Sequence, residues 1–290
     1  VLSRQRSVPY VIVLPVYLLV LAFVAYPIFE IVRISFTSWH FLRPDSEQFV
    51  GFATYVDVLT DPIFGQIMGN TILWMLMGTA FSLVLGTAIG YFLSFDFPIN
   101  RILRAVIIVP WVLPPVVTAS IWGWMLHGQF GVFNDLLLRS GVLSEGYPFL
   151  GRPNTAFVSV NMILVWKNVP LISLLLSAAF QGVPKELTEA GIVDGANAWT
   201  RFWRIVFPSV KSTFLAVAVI VNIWAIQQFV LIWMTTQGGP VNATHILPTY
   251  IFQMFTQSYH FGKLGVLSVF NVALLLVIVA IYLRVFRSEE

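Results

Sequence analysis

Residues 181–208 read Gln-Gly-Val-Pro-Lys-Glu-Leu-Thr-Glu-Ala-Gly-Ile-Val-Asp-Gly-Ala-Asn-Ala-Trp-Thr-Arg-Phe-Trp-Arg-Ile-Val-Phe-Pro. This stretch holds much of the charge of an otherwise apolar chain. Pro184 suits the first turn of a helix, where a missing N–H costs nothing. Glu186 and Glu189 then fall near the positive end of that helix. Asp194-Gly195 is a turn signal, because glycine accepts positive φ. A second helical stretch over 197–207 follows and is expected to stop at Pro208. Two short helices joined at Asp-Gly make an elbow lying on a membrane surface. Leu187, Ala190 and Ile192 offer apolar contacts for a groove in a partner. By periodicity alone, the stretch reads equally well as an amphipathic surface linker.

The flanking sequence supplies the membrane. Of 290 residues, 58% are hydrophobic and only 10% charged, against roughly 25% charged in soluble domains. So few charges cannot cover a surface in water, so most of the outside faces lipid. A bilayer core needs ~20 mostly apolar residues per helix. Six segments qualify, at about 8–33, 67–95, 105–126, 156–180, 214–235 and 264–283. The first is too long for a signal-peptide core and lacks a small-residue cleavage site, so it is expected to stay as a helix. Arg4, Arg6, Arg101, Arg104, Lys185, Arg201, Arg204, Lys211, Arg284 and Arg287 fall on one side. Arg43, Arg139, Arg152 and Lys263 fall on the other. The positive-inside rule then predicts both termini in the cytoplasm and 184–208 as a cytoplasmic loop. With no internal repeat or linker visible, 1–290 is expected to form a single all-α, polytopic transmembrane domain.

The loop also resembles the EAA loop of binding-protein-dependent ABC importer permeases. Glu189, Ala190, Gly195, Ile205 and Pro208 fall at that pattern's spacings, and Asp194-Gly195-Ala196 matches its Asp-Gly-Ala. Gly191 replaces the second Ala and Phe207 the Leu, and Gly191 is expected to loosen the first helix slightly. The rest of the chain is similar to carbohydrate-type (maltose-type) permeases. The stretches concerned are Phe49-Val50-Gly51-Phe52, Pro110-Trp111-Val112-Leu113-Pro114-Pro115, Gly131-Val132-Phe133-Asn134 and Gln237-Gly238-Gly239-Pro240. Val230 departs from the Asp that the family often carries after Phe229.

The resemblance implies the six-span type I ABC importer permease fold and import by alternating access. It implies that Glu186, Glu189, Ala190, Gly191, Asp194, Gly195, Ala196, Ile205 and Pro208 form an ATPase-coupling loop. The implied partners are a homologous second permease, two ATP-binding subunits, and an extracellular or periplasmic binding protein. That last protein would meet the loop at Gly238, Gly239 and Pro240. The implied solute is a sugar, oligosaccharide, polyol or glycerol phosphate, and the implied location is the bacterial cytoplasmic membrane.

No G-x-x-x-x-G-K-[ST] phosphate loop occurs, so ATP and Mg are expected on a separate ATPase and no cofactor in this chain. Cysteine is absent, and His40, His127, His245 and His260 show no metal-ligand spacing. No catalytic constellation can be assembled, so the chain is not expected to be an enzyme. Polar groups at membrane depth face a cavity or a partner helix. Lys167, beside Trp166 and Asn168, reads as a donor lining a substrate path or as a snorkelling or packing lysine. Asn222, Trp224, Gln227 and Gln228 suit sugar hydroxyls and a sugar ring face, with Trp224, Gln227 and Gln228 sharing one helical face. Interhelical hydrogen bonding is the alternative reading. Pro114-Pro115 must break backbone hydrogen bonds and is expected to kink the third span beside the path. A stand-alone secondary transporter or channel is the competing function. Such transporters usually show repeated halves within one chain, and none is visible.

Overall fold

The computed structural model describes residues 13–287. Residues 8–12 of the expected first span, with Arg4 and Arg6, lie outside these. In chain order the helices are α1 (Val13–Ser35), α2 (Ala53–Leu59), α3 (Pro62–Ser94), α4 (Asn100–Val112), α5 (Pro115–Met125), α6 (Val132–Arg139) and α7 (Pro153–Gln181). There follow α8 (Lys185–Val193), α9 (Ala198–Ser209), α10 (Lys211–Ile226), α11 (Phe229–Thr235), α12 (Leu247–Gln253) and α13 (Phe261–Arg287). Among the described residues no strand forms, only isolated bridges. Helices α1, α3, α7 and α13 are each long and apolar enough to cross a bilayer. The pairs α4–α5, bent by 94°, and α9–α10, bent by 73°, raise the number of spans to six if each counts as one.

Two of the expected spans are therefore not continuous helices. The one over 105–126 starts earlier, at Asn100, and breaks at Leu113-Pro114. Leu113 and Pro114 both take extended ψ, 132° and 142°. The cause is local. Neither Pro114 nor Pro115 carries an N–H, so the carbonyls four residues earlier lose their helical donors. The span over 214–235 breaks at Gln227-Gln228, between α10 and α11. At ~1.5 Å per residue the 16 residues of α10 rise only ~24 Å, short of the ~30 Å hydrocarbon core. Helix α9 also runs through Pro208 to Ser209 rather than stopping before it, with a wide turn at Phe202–Val206 just upstream.

The described residues fall into two compact units, 13–65 with 251–273 and 66–250 with 274–287. In the first, the start of α13 comes close to the end of α1. A Cβ on Gly265 would sit 2.8 Å from the Ser35 nitrogen. Ser35 Oγ lies 2.7 Å from Tyr55 Oη, and Thr54 Oγ1 donates to the Thr37 carbonyl at 3.0 Å. The loop after α1 pairs with the residues before α13: the Phe41 N–H donates to Tyr259 O (2.9 Å) and the Gly262 N–H to Trp39 O (3.1 Å). His40 and His260 meet edge-on across this pairing, ring centroids 4.5 Å apart.

The second unit is built on α3 and α7. Gly78, Ser82, Gly86 and Gly90 recur every four residues on the buried face of α3. A Cβ on Gly78 would meet Leu164 Cδ2 at 2.6 Å, one on Gly86 would meet Ile172 Cβ at 2.7 Å, and one on Gly90 would meet Ser173 O at 2.8 Å. Small residues at this spacing let two membrane helices approach backbone to backbone. Around this contact Trp74, Trp122, Val160, Leu164, Ala225 and Ile232 form a buried cluster.

Gly86→Leu is expected to force α3 and α7 apart, at an overpacking cost of about 1–3 kcal/mol or more. Thermal unfolding of the detergent-solubilised protein should show a clearly lowered midpoint, and an unchanged midpoint would contradict this packing. A second expectation concerns pH. Burial foremost, then His40, Lys263 and Arg43, hold His260 below its usual 6.5, with Asp57 opposing. A depressed histidine contributes stability that is present above its unfolded value and lost as pH falls through the folded one. Amide protection factors at Phe41 and Gly262, taken relative to intrinsic exchange at each pH, should therefore fall on acidification below about pH 6.5, and His260→Asn should flatten that dependence.

Candidate functional site

The 184–208 stretch does form an elbow. Pro184 takes the N-cap of α8, and the helix ends in a complete Schellman closure. The Ala196 N–H donates to Gly191 O (2.9 Å) and the Gly195 N–H to Ile192 O (3.0 Å). Gly195 sits at φ +76°, which a side chain would strain. Asn197 then caps α9, its Oδ1 accepting from the Thr200 N–H at 2.8 Å. Arg201 Nη1 ties back to Ala196 O at 2.9 Å.

Gly191 does not loosen α8 but lets it close on α9. It is buried, and a Cβ there would meet Ile205 Cδ1 at 2.6 Å. Glu186, Glu189, Asp194 and Gly195 are exposed. So are Leu187, Ile192, Val193 and Trp199, with Val193 86% exposed. The elbow is rooted in the spans by Phe202, which meets Tyr91 of α3 (ring centroids 4.7 Å) and Phe180 of α7 (6.1 Å). A cavity of about 1170 Å³ opens beside it, with Asp96, Arg101, Arg104, Lys185, Glu189 and Arg201 among its lining residues.

The polar residues expected along a substrate path separate into two groups. Lys167 is buried, and its Nζ donates to Trp111 O (3.2 Å) and Leu113 O (2.5 Å). These carbonyls belong to the broken third span, so the packing reading of Lys167 has a specific partner. Asn222 is likewise engaged: its Nδ2 donates to Tyr282 Oη at 2.8 Å and to Ala218 O at 3.3 Å. Asn168 and Trp224, in contrast, line one narrow slot between α7 and α10, with room for only about one water (10 Å³). Asn168 Nδ2 is buried there without a hydrogen-bond partner among the described residues.

Trp224, Gln227 and Gln228 do not share a helical face, because α10 ends at Ile226 and both glutamines lie in the break. Gln227 is exposed and Gln228 half-buried. The helices beyond the two breaks, α5 and α11, pack on each other. Of the Gly-Gly-Pro loop, Gly238 is buried at φ +84°, its missing side chain leaving room for the His245 ring. The exposed points of that loop are Gln237 and Val241. Among the described residues no three His, Asp or Glu side chains gather as metal ligands would.

Two residues with evident structural work escaped the sequence reading. Trp74 is 1% exposed, and its indole N–H donates to Ala225 O at 2.9 Å, next to the break after α10. No local pattern marks it. Arg104 donates to Leu93 O (2.6 Å) and Ser177 Oγ (3.2 Å), clamping α4 to the end of α3 and to α7. The expected outcome for Gly191→Leu is that α8 is pried from α9 while the spans stay folded. Limited proteolysis should then cut within 185–201 faster than in the parent.

A profile described as "Binding-protein-dependent transport system inner membrane component" matches residues 82–288. The chain is 30% identical to the sulfoquinovosyl glycerol transport system permease of Agrobacterium fabrum, over 99% of this chain and 92% of that one. It is 29% identical to the trehalose/maltose transport system permease of Thermococcus litoralis, over 99% and 96%. In fold it is similar to a chain of a bacterial ABC transporter involved in import of the acidic polysaccharide alginate, with TM-score 0.83, 21% identity, and 98% and 96% coverage. The broken third span and the elbow thus sit in a chain that belongs to the family of binding-protein-dependent transport system inner membrane components.

Proposed function

We propose that this chain is the passive membrane half of an ATP-driven importer for a sugar or sugar-like solute. The observation that carries the coupling reading is the elbow, where a Schellman closure presents exposed Val193 and Asp194 at the turn, with Glu189 and Trp199 exposed on the helices either side. A charged and apolar tip of this kind fits a groove in a separate ATPase subunit. The chain acts as one permease domain over 1–290, with the elbow and both termini cytoplasmic. Closure of two ATPases would push paired elbows and, through Phe202, lean on α3 and α7. A second, homologous permease completes the path, and an external binding protein delivers solute at the Gly238-Gly239-Pro240 loop, with Gln237 and Val241 as its exposed contacts.

The names of relatives that transport sulfoquinovosyl glycerol, trehalose or maltose support a carbohydrate cargo. Within the chain, irregular backbone at membrane depth is tolerated only where protein or water surrounds it. The packing of α5 on α11 brings the two broken spans together and supports a path beside them. Asn168 with Trp224 offers an amide and a flat ring to a sugar, and Gln227 and Gln228 offer amides at the break. The slot between α7 and α10 is too small for a sugar ring as it stands, so the path opens by movement of these helices.

Gly195→Val places a β-branched side chain at positive φ on the tip. In proteoliposomes containing the complete transporter, uptake is expected to fall by at least tenfold, while insertion and expression of the chain stay near normal. Full ATP-coupled uptake by this variant would remove the coupling role from the elbow.

A further inference from the structure

Two prolines in the middle of a span create a defined deficit. In an unbroken helix the Trp111 carbonyl would accept from residue 115, but Pro115 has no N–H to give. The Leu113 carbonyl is freed by the extended conformation of its own residue. Both carbonyls lie within a segment apolar enough to cross a bilayer, and both are met by one side chain from another span, Lys167 Nζ of α7. Lys167 as a residue is only 7% exposed in the folded chain. The same α4 segment is tied to α7 a second time, by Arg104 on Ser177. Helix α7 in turn runs directly into the elbow through Gly182, Val183 and Pro184.

We propose that Lys167 is a positioning residue: its ammonium replaces the helical donors that the Trp111 and Leu113 carbonyls lose at the Pro114-Pro115 break and fixes the 94° bend of the third span to α7. Movement of the elbow then reaches the bend along α7, and the bend follows because three N–H donors on one nitrogen can hold two carbonyls at once. The role does not require Lys167 to touch solute, since its two short bonds point into protein. It deepens the importer reading only in its transport readout, and the geometry can be tested without transport.

The chain has no cysteine, so a pair of introduced thiols reports only its own positions. Spin labels at Ile102 and Ile121, both exposed and on opposite arms of the bend, measure its opening. Nineteen residues of straight helix would span ~28 Å, and the bend brings the labels closer. Lys167→Met is expected to broaden the distance distribution and move it to longer values, and Lys167→Arg to recover the parent distribution. In the reconstituted complex, Lys167→Met should lower solute moved per ATP by roughly tenfold while the half-saturating concentration changes by less than about twofold, the signature of an interaction outside ground-state binding. Should Lys167→Met fail to accumulate in membranes, Lys167→Gln takes its place in both measurements. An unchanged label distribution overturns the proposal whatever the transport result. A raised half-saturating concentration with coupling intact also overturns it, and makes Lys167 a solute contact instead.

Discussion

A backbone carbonyl inside a bilayer has no water to turn to, and this chain interrupts two of its spans. Each interruption is met by a donor sent from an unbroken helix. Lys167 of α7 serves Trp111 and Leu113, and Trp74 of α3 serves Ala225. An unsatisfied group in hydrocarbon costs several kcal/mol, so Lys167 is a condition for its break, whereas the Ala225 carbonyl also accepts from the Gln228 N–H and Trp74 adds a further donor. The close fit of α3 on α7 along Gly78, Ser82, Gly86 and Gly90 holds the two donor helices at a fixed spacing. The bent spans are arranged around that pair.

The elbow shows how such a frame reaches out of the membrane. Its tip is stiff for local reasons: the Schellman bonds, the Asn197 cap and the contact of Gly191 with Ile205. Its root is stiff for tertiary ones, because Phe202 reaches rings on both α3 and α7. Between root and tip the open cavity beside α8 leaves one side of the elbow uncommitted.

What was legible in the sequence was mostly local. The Asp-Gly turn, the two short helices and the exposed acidic face all follow from residues within a few positions of one another. The pair Pro114-Pro115 announced a break for the same reason. The break at Gln227-Gln228 did not, because Ile226-Gln227-Gln228-Phe229 contains neither glycine nor proline and its interruption arises from packing. That break also takes Gln227 and Gln228 off the helical face of Trp224. Lys167 was visible as a charge at depth, but its partners lie 54 and 56 positions away and no spacing rule connects them. The small-residue ladder on α3 has a legible four-residue period, but it is embedded in an apolar run that masks it. Gly191 looked like a mild defect until Ile205 appeared beside it.

The exposed tip has a consequence for the life of the chain before it is assembled. Val193 is 86% exposed and Trp199 72%, both on one short elbow. Bare apolar surface of this sort promotes aggregation and attracts proteolysis. Under the proposed function a partner subunit covers it. A surplus of this chain over that partner would be the first population to be cleared. Under that reading the abundance of the membrane half follows that of the subunit it waits for, through a few uncovered side chains.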